Sequence, residues 1–472
     1  MTEQAKAADR QRIILLFDGT WNDAEFRDND TNIVRLRELI DVELRREDIE
    51  RATRGVAQAP AKTLVYYRRG VGTNHRVDKF LGGALGFGLA DNVRRGYRFL
   101  ARHYRPGDEV FVFGFSRGAF TARSLVGYLG AAGLLRDAWC TPGRESAAWG
   151  YYRTSPDDRL PGDWHALGAF VHPREAFRIR ALCVFDTVGA LGIPGTWLKA
   201  ANRGRFEFHD VELPSITQLN LHAIAIDEQR EPFQATIWRR HKFKRLDPKM
   251  VTEQAWFPGV HADVGGGYVG GEGRKPGLKA LDDIPLDWML RRLRHHVGDF
   301  PAPCGLSPAP DAAWSKAAQH QSRTWKYRYW PPVHRAIANR PLELIDRNPV
   351  AGRAMIEGVV SRDRHQAMVG EMVHISAIER LGCDVPCGPS PRAEKEAGRQ
   401  AGGGPPTLRY APPALCDALD DLAVAYGPRV PPPGQGLLRI VGRDGFPINP
   451  GSVDGDAAMD AVAAAWQRLA YG

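Results

Sequence analysis

Apolar segments of strand length alternate with helix-like patterns through the first half of the chain, and this alternation is the feature that most limits its fold. The apolar segments are residues 12–17, 63–67, 109–113, 179–185 and 220–226. Helical patterns lie between several of them, at about 29–46, 89–104 and 118–133. Apolar strands that alternate with helices predict an α/β fold, with a mostly parallel sheet and helices on both faces. Ligands of such sheets bind beyond the carboxyl ends of the strands.

Composition excludes several classes of protein. The chain has 472 residues, of which 43% are hydrophobic, and no residue type dominates, which excludes collagen-like, coiled-coil and wholly disordered chains. It has 64 Lys and Arg against 55 Asp and Glu, so its net charge of +9 favours only a weak attraction to anionic surfaces. We predict no signal peptide and no transmembrane helix, because the N-terminus is polar and no apolar run reaches about 18 residues. The protein is therefore expected to be cytoplasmic at synthesis.

The character of the sequence changes after about residue 300. We predict a catalytic domain over residues 1–300, a helical or irregular extension over 301–387, a flexible linker over 388–413 and a small C-terminal region over 414–472. Within the last region, residues 436–450 are expected to form a strand pair and 455–470 a helix.

A glycine-rich pentapeptide is the strongest motif. Gly114-Phe115-Ser116-Arg117-Gly118 stands between an apolar strand and a helical pattern, which is the order that a nucleophile elbow requires. The glycines Gly114 and Gly118 are needed where the turn brings backbone segments too close for a Cβ. We predict that Ser116 is a nucleophile. The alternative is a glycine-rich turn that carries an incidental serine.

A serine nucleophile needs a base and an orienting acid. His261 lies in a loop rich in glycine, residues 256–268, and from the residues alone it is equally well a base or a capping or surface histidine. Asp186 and Asp227 each end a predicted strand, and each is either the acid or a cap. Asp263, two residues after His261, is expected to shape the loop.

An oxyanion needs two backbone N–H donors. We predict the N–H of Arg117 and one from the loop after the first strand, at Gly19 or Thr20, with Asp18 and Asn22 holding that loop. The mechanism needs no metal and no cofactor. A cation site at Asp18, Asp23 and Asp263 is a minor alternative, because hard cations prefer carboxylates.

The sequence resembles the bacterial DUF2235 proteins, whose α/β-hydrolase domain forms the catalytic part of Tle1-type phospholipase effectors of the type VI secretion system. The matching segments cover roughly residues 11–300, and they are LLFDGTWND (15–23), RGVGT (69–73), GGALGFGLADNVRRGYRFL (82–100), VFGFSRGAFTARSLVGYL (112–129), VFDTVGALG (184–192), LHAIAIDEQREPF (221–233) and WFPGVHADVGGGY (256–268).

The resemblance implies a serine hydrolase that attacks ester bonds of lipids or phospholipids. By position, Ser116 is then the nucleophile, His261 the base and Asp186 the preferred acid, with Asp227 as runner-up. It also implies an ester-bearing lipid substrate, contact with an anionic membrane surface, export by type VI secretion, and a secretion component or an immunity protein as partner. Nucleic acid is not expected. The competing interpretation is a non-enzymatic module that binds anionic lipid or nucleic acid through the basic and aromatic segment 323–335.

Overall fold

A computed structural model describes residues 10–19, 30–54, 62–70, 84–189, 213–238, 240–241, 249–268, 279–323, 331–338, 366–367, 369–388, 406–426 and 438–471. The chain forms two compact units. The first unit comprises Met1–Thr20, Ile33–Asn220 and Arg245–Val251, and the second comprises Trp21–Asn32, Leu221–Lys244 and Thr252–Gly472. Eight strands of the described residues take part in the main sheet.

The described residues of the first unit form four parallel strands. They are β1 (Arg12–Phe17), β2 (Thr63–Arg68), β3 (Glu109–Phe115) and β4 (Ile179–Phe185). Their order is β4-β3-β1-β2, and every pair is parallel. Since β1, β3 and β4 are almost wholly buried, their continuous apolar runs are those of strands covered on both faces.

Among the described residues, five α-helices lie between these strands along the chain. They are α1 (Asn32–Arg54), α2 (Ala84–His103), α3 (Arg117–Ala132), α4 (Pro142–Arg153) and α5 (Pro161–Gly168). The strands β1–β4 and the helices α1–α3 match the elements predicted from the sequence. The predicted α/β class with a mostly parallel sheet is confirmed.

The second unit holds the remaining strands and helices. The strands are β5 (Thr217–Ala225, which starts in the first unit), β6 (Arg240–His241), β7 (Val251–Phe257), β8 (Gln319–His320), β9 (Gln366–Ala367), β10 (Glu371–His374), β11 (Asp384–Gly388), β12 (Thr407–Arg409) and β13 (Arg439–Val441). The helices are α6 (His261–Gly265), α7 (Asp283–Val297), α8 (Ile375–Arg380), α9 (Pro413–Tyr426) and α10 (Val453–Tyr471). In the main sheet, β10 pairs in parallel with both β7 and β13. A small sheet has the order β12-β11-β8, and β6 pairs with β9.

Residues beyond 300 form part of the hydrophobic core of the second unit. Side chains from β7, β10, α8, α9, β13 and α10 share one buried cluster, which includes Trp256, Val373, Leu419, Ile440 and Val462. The predicted strand pair near 436–450 is present as β13 and its bridge to Pro447, and the predicted terminal helix is α10. The domain boundaries inferred from composition stay a prediction. The division into compact units does not follow the boundary at residue 300.

No helix among the described residues is both long enough and apolar enough to cross a membrane.

The glycine at the start of α3 tolerates no side chain. A Cβ on Gly118 would lie 2.3 Å from the carbonyl oxygen of Phe17 and 2.4 Å from that of Asp18. Because both neighbours are backbone atoms of β1 and its end, they cannot move aside cheaply. We expect Gly118→Ala to lower the free energy of unfolding by about 3 kcal/mol, measured by urea denaturation. The matched control is Gly150→Ala in α4, where a Cβ meets nothing within 4 Å. That variant should gain about 0.5–1 kcal/mol, and equal losses in both would contradict the argument.

Candidate functional site

Ser116 occupies a strained turn between β3 and α3. Its backbone has φ 59° and ψ −125°, a conformation that residues with a side chain rarely adopt. Its N–H donates to the carbonyl oxygen of Phe185 at 3.1 Å, and its own carbonyl accepts from the N–H of Phe120 at 3.2 Å. Strain of this kind persists only where the surroundings impose it, and it is typical of functional sites. The strand, sharp turn and helix are the arrangement of a nucleophile elbow.

Close backbone approach explains the other predicted glycine of the elbow. A Cβ on Gly114 would lie 2.6 Å from both the Cα of Ala119 and the carbonyl oxygen of Gly118. The first turn of α3 therefore packs directly against the end of β3. The N–H groups of such a first turn point toward the helix N-terminus, where the helix dipole favours negative charge.

The loop after β1 lies beside Ser116. A Cβ on Gly19 would lie 3.4 Å from the Cβ of Ser116. The buried carboxylate of Asp18 accepts the Gly19 N–H at 2.7 Å and the hydroxyl of Tyr67 at 2.8 Å. Asp18 therefore engages the N–H of Gly19, and its role in holding the loop stays a prediction. Thr20, Asn22 and Asp23 lie outside the described residues.

Asp186 lies at the same edge of the first unit as Ser116. It directly follows β4, is fully buried and has a positive φ of 37°. The residue before it, Phe185, accepts the hydrogen bond from the N–H of Ser116. Since β3 and β4 are parallel neighbours, their carboxyl ends place Ser116 and Asp186 side by side in the backbone.

His261 begins the short helix α6 in the second unit. Its side chain is buried, with 5% of its surface exposed, and its ring packs edge-on against that of Phe233 at 5.0 Å between centroids. Gly259, two residues earlier, has φ +107°, and a Cβ there would lie 2.4 Å from the Cβ of Asp263. The glycine therefore permits the sharp turn that leads into His261.

Three consecutive backbone N–H groups before and at His261 each donate to a different buried carboxylate. The pairs are Gly259 N–H to Asp227 Oδ2 at 2.5 Å, Val260 N–H to Asp263 Oδ2 at 3.0 Å, and His261 N–H to Glu228 Oε2 at 3.3 Å. We call residues 259–261 the base loop, after the predicted role of His261 as a base. Hydrogen bonds from N–H groups to carboxylates are charge-assisted and stronger than neutral ones. The base loop is thus held at three successive residues.

The carboxylates of Asp227 and Glu228 are adjacent in sequence but differ in proton affinity. Burial raises the pKa of Asp227 to about 7, although Gly259, Arg380 and Tyr410 act in the opposite direction. Burial also acts to raise the pKa of Glu228, but Arg230, Arg335 and His261 together outweigh this effect and lower that pKa to about 2. At neutral pH Glu228 is ionised, whereas Asp227 is close to half protonated.

The raised pKa of Asp227 predicts a stabilising substitution. An unfolded aspartate ionises near pH 4, whereas the folded protein keeps this proton up to about pH 7, so stability is lost as the pH rises between these values. Asn cannot ionise and still accepts hydrogen bonds from Gly259 and Tyr410. We therefore expect Asp227→Asn to unfold like wild type at pH 4 and to be more stable above pH 7, by at most about 4 kcal/mol.

Urea denaturation of both proteins at pH 4.5 and pH 8 measures this difference. The charged and titratable groups that act on Asp227 are Arg380, Tyr410 and Asp263. They are unchanged in the variant. Asp420→Asn on the exposed face of α9 controls for the loss of one negative charge. A gain for Asp227→Asn that is the same at both pH values would contradict the prediction.

The contacts of Glu228, His320 and Tyr410 around the base loop were not foreseen from the sequence. Glu228 follows Asp227, which the sequence analysis did consider. Glu228 itself holds the loop by accepting the backbone N–H of His261, a contact that the sequence does not reveal. His320 and Tyr410 donate to Asp263 and Asp227 from far along the chain. Among the described residues, no cluster of three or more His, Cys, Asp or Glu side chains could hold a metal ion. The basic and aromatic segment 323–335 lies mostly outside them.

A protein-family model matches the part of the chain that contains Ser116, Asp186 and His261. The family is described as "T6SS, Phospholipase effector Tle1-like, catalytic domain", and the match covers residues 11–292. The chain belongs to this Tle1-like family. The family resemblance predicted from the sequence segments is confirmed. Ser116, Asp186 and His261 all lie within the matched residues.

Individual relatives are more distant. An uncharacterized protein of Saccharomyces cerevisiae, YEL023C, is 29% identical over 238 residues, which are 47% of this chain and 32% of the yeast protein. The Tle1-like chain thus matches only about a third of that relative's length. A crystal structure of an uncharacterized protein from Pseudomonas aeruginosa has a TM-score of 0.37 and 20% identity over 64% of this chain and 47% of its own. The structure of the Tle1 effector bound to the VgrG spike has a TM-score of 0.29 and 17% identity, over 57% and 53%.

Proposed function

We propose that the protein is a serine hydrolase that cleaves the carboxylic ester bonds of phospholipids. The observation that carries this proposal is the strained conformation of Ser116 between β3 and α3, within a region that belongs to a phospholipase effector family. This turn holds the backbone of Ser116 at the point where the strand ends and the helix begins, as a nucleophile elbow requires. Its position at the N-terminus of α3 also favours developing negative charge.

In the proposed mechanism His261 removes the proton of Ser116, and Ser116 Oγ attacks the ester carbonyl. The tetrahedral intermediate collapses, its alcohol leaves with the proton from His261, and an acyl-enzyme remains. Water, deprotonated by His261, then attacks the acyl group and releases the fatty acid. The N–H of Arg117 is the oxyanion donor on which this proposal depends, because the Gly19 N–H is engaged by Asp18. A second donor from the loop of Gly19 and Thr20 stays a prediction.

Asp186 is proposed as the acid that orients His261. Its place beside Ser116, at the end of the neighbouring parallel strand, supports this choice. Asp227, the runner-up, already accepts hydrogen bonds at Oδ2 from the base-loop N–H of Gly259 and from Tyr410. Those contacts support a role in holding the backbone of the base loop.

The family also suggests where the protein acts. Members are described as type VI secretion effectors, so we propose that this chain is exported by that route and meets an anionic phospholipid surface, for which its net charge of +9 is suitable. A component of the secretion apparatus and an immunity protein are the proposed protein partners.

Two measurements test the proposed activity. Purified protein is incubated with vesicles of phosphatidylethanolamine and phosphatidylglycerol, and the lipids are analysed by mass spectrometry. We expect a free fatty acid and a lysophospholipid in equal amounts, and their identities report which ester is cut. A fluorophosphonate probe should label one peptide, the one that contains Ser116. Intact lipids together with no labelling, or labelling at another serine, would contradict the proposal.

A further inference from the structure

The three carboxylates that hold the base loop are themselves held by residues beyond the family match. Tyr410 donates its hydroxyl to Asp227 Oδ2 at 3.0 Å, and Ser322 donates to Glu228 Oε1 at 3.0 Å. His320 donates its backbone N–H to Asp263 Oδ2 at 3.2 Å, and its Nδ1 lies 2.6 Å from Oδ1 of the same carboxylate. The match to the catalytic-domain family ends at residue 292. Each of these donors therefore comes from the region that the family model does not include.

We propose that Tyr410 and His320 are positioning residues for His261, and that the region after residue 292 is thereby part of the catalytic apparatus. This inference rests on the proposed function, in which His261 is the general base. Neither residue is proposed to touch the substrate. Both act through a carboxylate and then through the backbone of the base loop.

A buried arginine connects the two positioning residues. The guanidinium of Arg380 lies over the ring of Tyr410 at 5.0 Å and donates to the carbonyl oxygens of Ser315 and Ala317 at 2.7 and 2.8 Å. Those carbonyls belong to the segment that leads directly into β8, which carries His320. Arg380 is fully buried, so its contacts are formed in a low-dielectric setting where they are strong and costly to break. Tyr410 and the segment of His320 are thus fixed relative to each other.

His320 has limited freedom of its own. Its ring is stacked on that of Tyr268, with centroids 4.1 Å apart and planes 15° apart. Its imidazole therefore faces Asp263 from a fixed direction, and Asp263 in turn accepts the N–H of Val260. Tyr410 is buried as well, and its partner Asp227 accepts the N–H of Gly259. The two chains of contacts end on adjacent residues immediately before His261.

The catalytic consequence follows from the sensitivity of proton transfer to geometry. A misplacement of about 1 Å costs roughly 100-fold in rate, even when the change lies far from the reacting atoms. Loss of either donor should therefore lower kcat and leave KM close to its wild-type value, because the substrate contacts are unchanged.

Two buried tyrosines of the second unit give a matched test. The hydroxyl of Tyr426 bonds to the carbonyl of Ile448 and the N–H of Ile440, both at 2.8 Å, and none of these groups belongs to the base loop. Tyr410→Phe and Tyr426→Phe each remove one buried hydroxyl. We expect Tyr410→Phe to lower kcat on phospholipid vesicles by roughly 10- to 100-fold, with KM within about twofold. Tyr426→Phe should lower Tm by about as much as Tyr410→Phe does, but it should leave kcat within about twofold of the wild-type value.

His320 has its own conservative variant. The side-chain amide of Asn can place an N–H near the position of the histidine Nδ1, whereas Ala cannot. His320→Asn should therefore recover most of the kcat that His320→Ala loses. Equal kcat losses in the two tyrosine variants, or wild-type kcat in Tyr410→Phe and His320→Ala, would overturn the positioning role while Ser116 labelling still supports the hydrolase. A wild-type protein that neither cleaves lipid nor reacts with the fluorophosphonate would overturn both.

Discussion

Ser116→Ala should lower kcat for phospholipid hydrolysis by at least about 10⁴-fold, since removal of a serine nucleophile from a triad costs up to about 10⁶-fold. Alanine has no oxygen to form the acyl-enzyme, so His261 and the oxyanion donors are left to assist only direct attack by water. The residual rate over the uncatalysed reaction comes from those groups and from binding. KM should change little, because the ester is bound by groups that the substitution leaves in place. Initial rates on vesicles of defined composition, with fatty acid as the measured product, give both constants.

Two control variants separate loss of chemistry from loss of fold. Ser124→Ala changes another buried serine of α3, two turns further along the helix, and should retain activity within about twofold. Ser116→Gly should be as inactive as Ser116→Ala but more stable than wild type, because glycine adopts the observed φ of 59° without strain. Wild-type activity in Ser116→Ala, or an equal loss in Ser124→Ala, would remove Ser116 from the mechanism.

The elements of the first unit could be predicted because their signals are local. Strands β1, β3 and β4 are covered on both faces and therefore appear as unbroken apolar runs. Two of these strands are followed directly by a candidate site residue, β3 by Ser116 and β4 by Asp186. A single sequence pattern thus locates both the strand and the candidate residue that follows it.

Strands β7 and β10 were missed for a physical reason. The sequence of β7, VTEQAWF, buries Glu253 and Gln254, whose side chains find partners within the unit. Strand β10 has only four residues, including two buried polar ones, Glu371 and His374. Buried polar side chains are stable when they are hydrogen-bonded. Such strands lack the continuous apolar run on which sequence-based prediction depends.

Separation along the chain explains which site residues could be predicted. His261 and Asp263 lie in one short glycine-rich loop, so a motif brings them to attention together. Tyr410 lies 183 residues from Asp227, and His320 lies 57 residues from Asp263. Nothing in the local sequence around Tyr410 records that contact. Residues that act on a loop through a buried carboxylate become visible only once the chain is folded.

The identity of the acid that orients His261 gives the second large prediction. Asp186→Asn should lower kcat by about 10⁴-fold, the effect expected when an orienting carboxylate becomes an amide that favours the wrong histidine tautomer. Asp227→Asn should cost less than about 10-fold in kcat. The Asn oxygen still accepts from Gly259 and Tyr410, so the base loop keeps its anchor. Both variants remove one buried carboxylate at a strand end, and each serves as the control for the other.

The comparison is made at pH 8, where wild-type Asp227 is mostly ionised. Fluorophosphonate labelling of Ser116 should slow in Asp186→Asn in parallel with kcat, because the probe requires the same activated nucleophile. It should stay near the wild-type rate in Asp227→Asn, which is also the more stable of the two at this pH. The reverse order of kcat losses would assign the orienting role to Asp227. In that event its contact with the N–H of Gly259 would couple the position of the base loop to the acid itself.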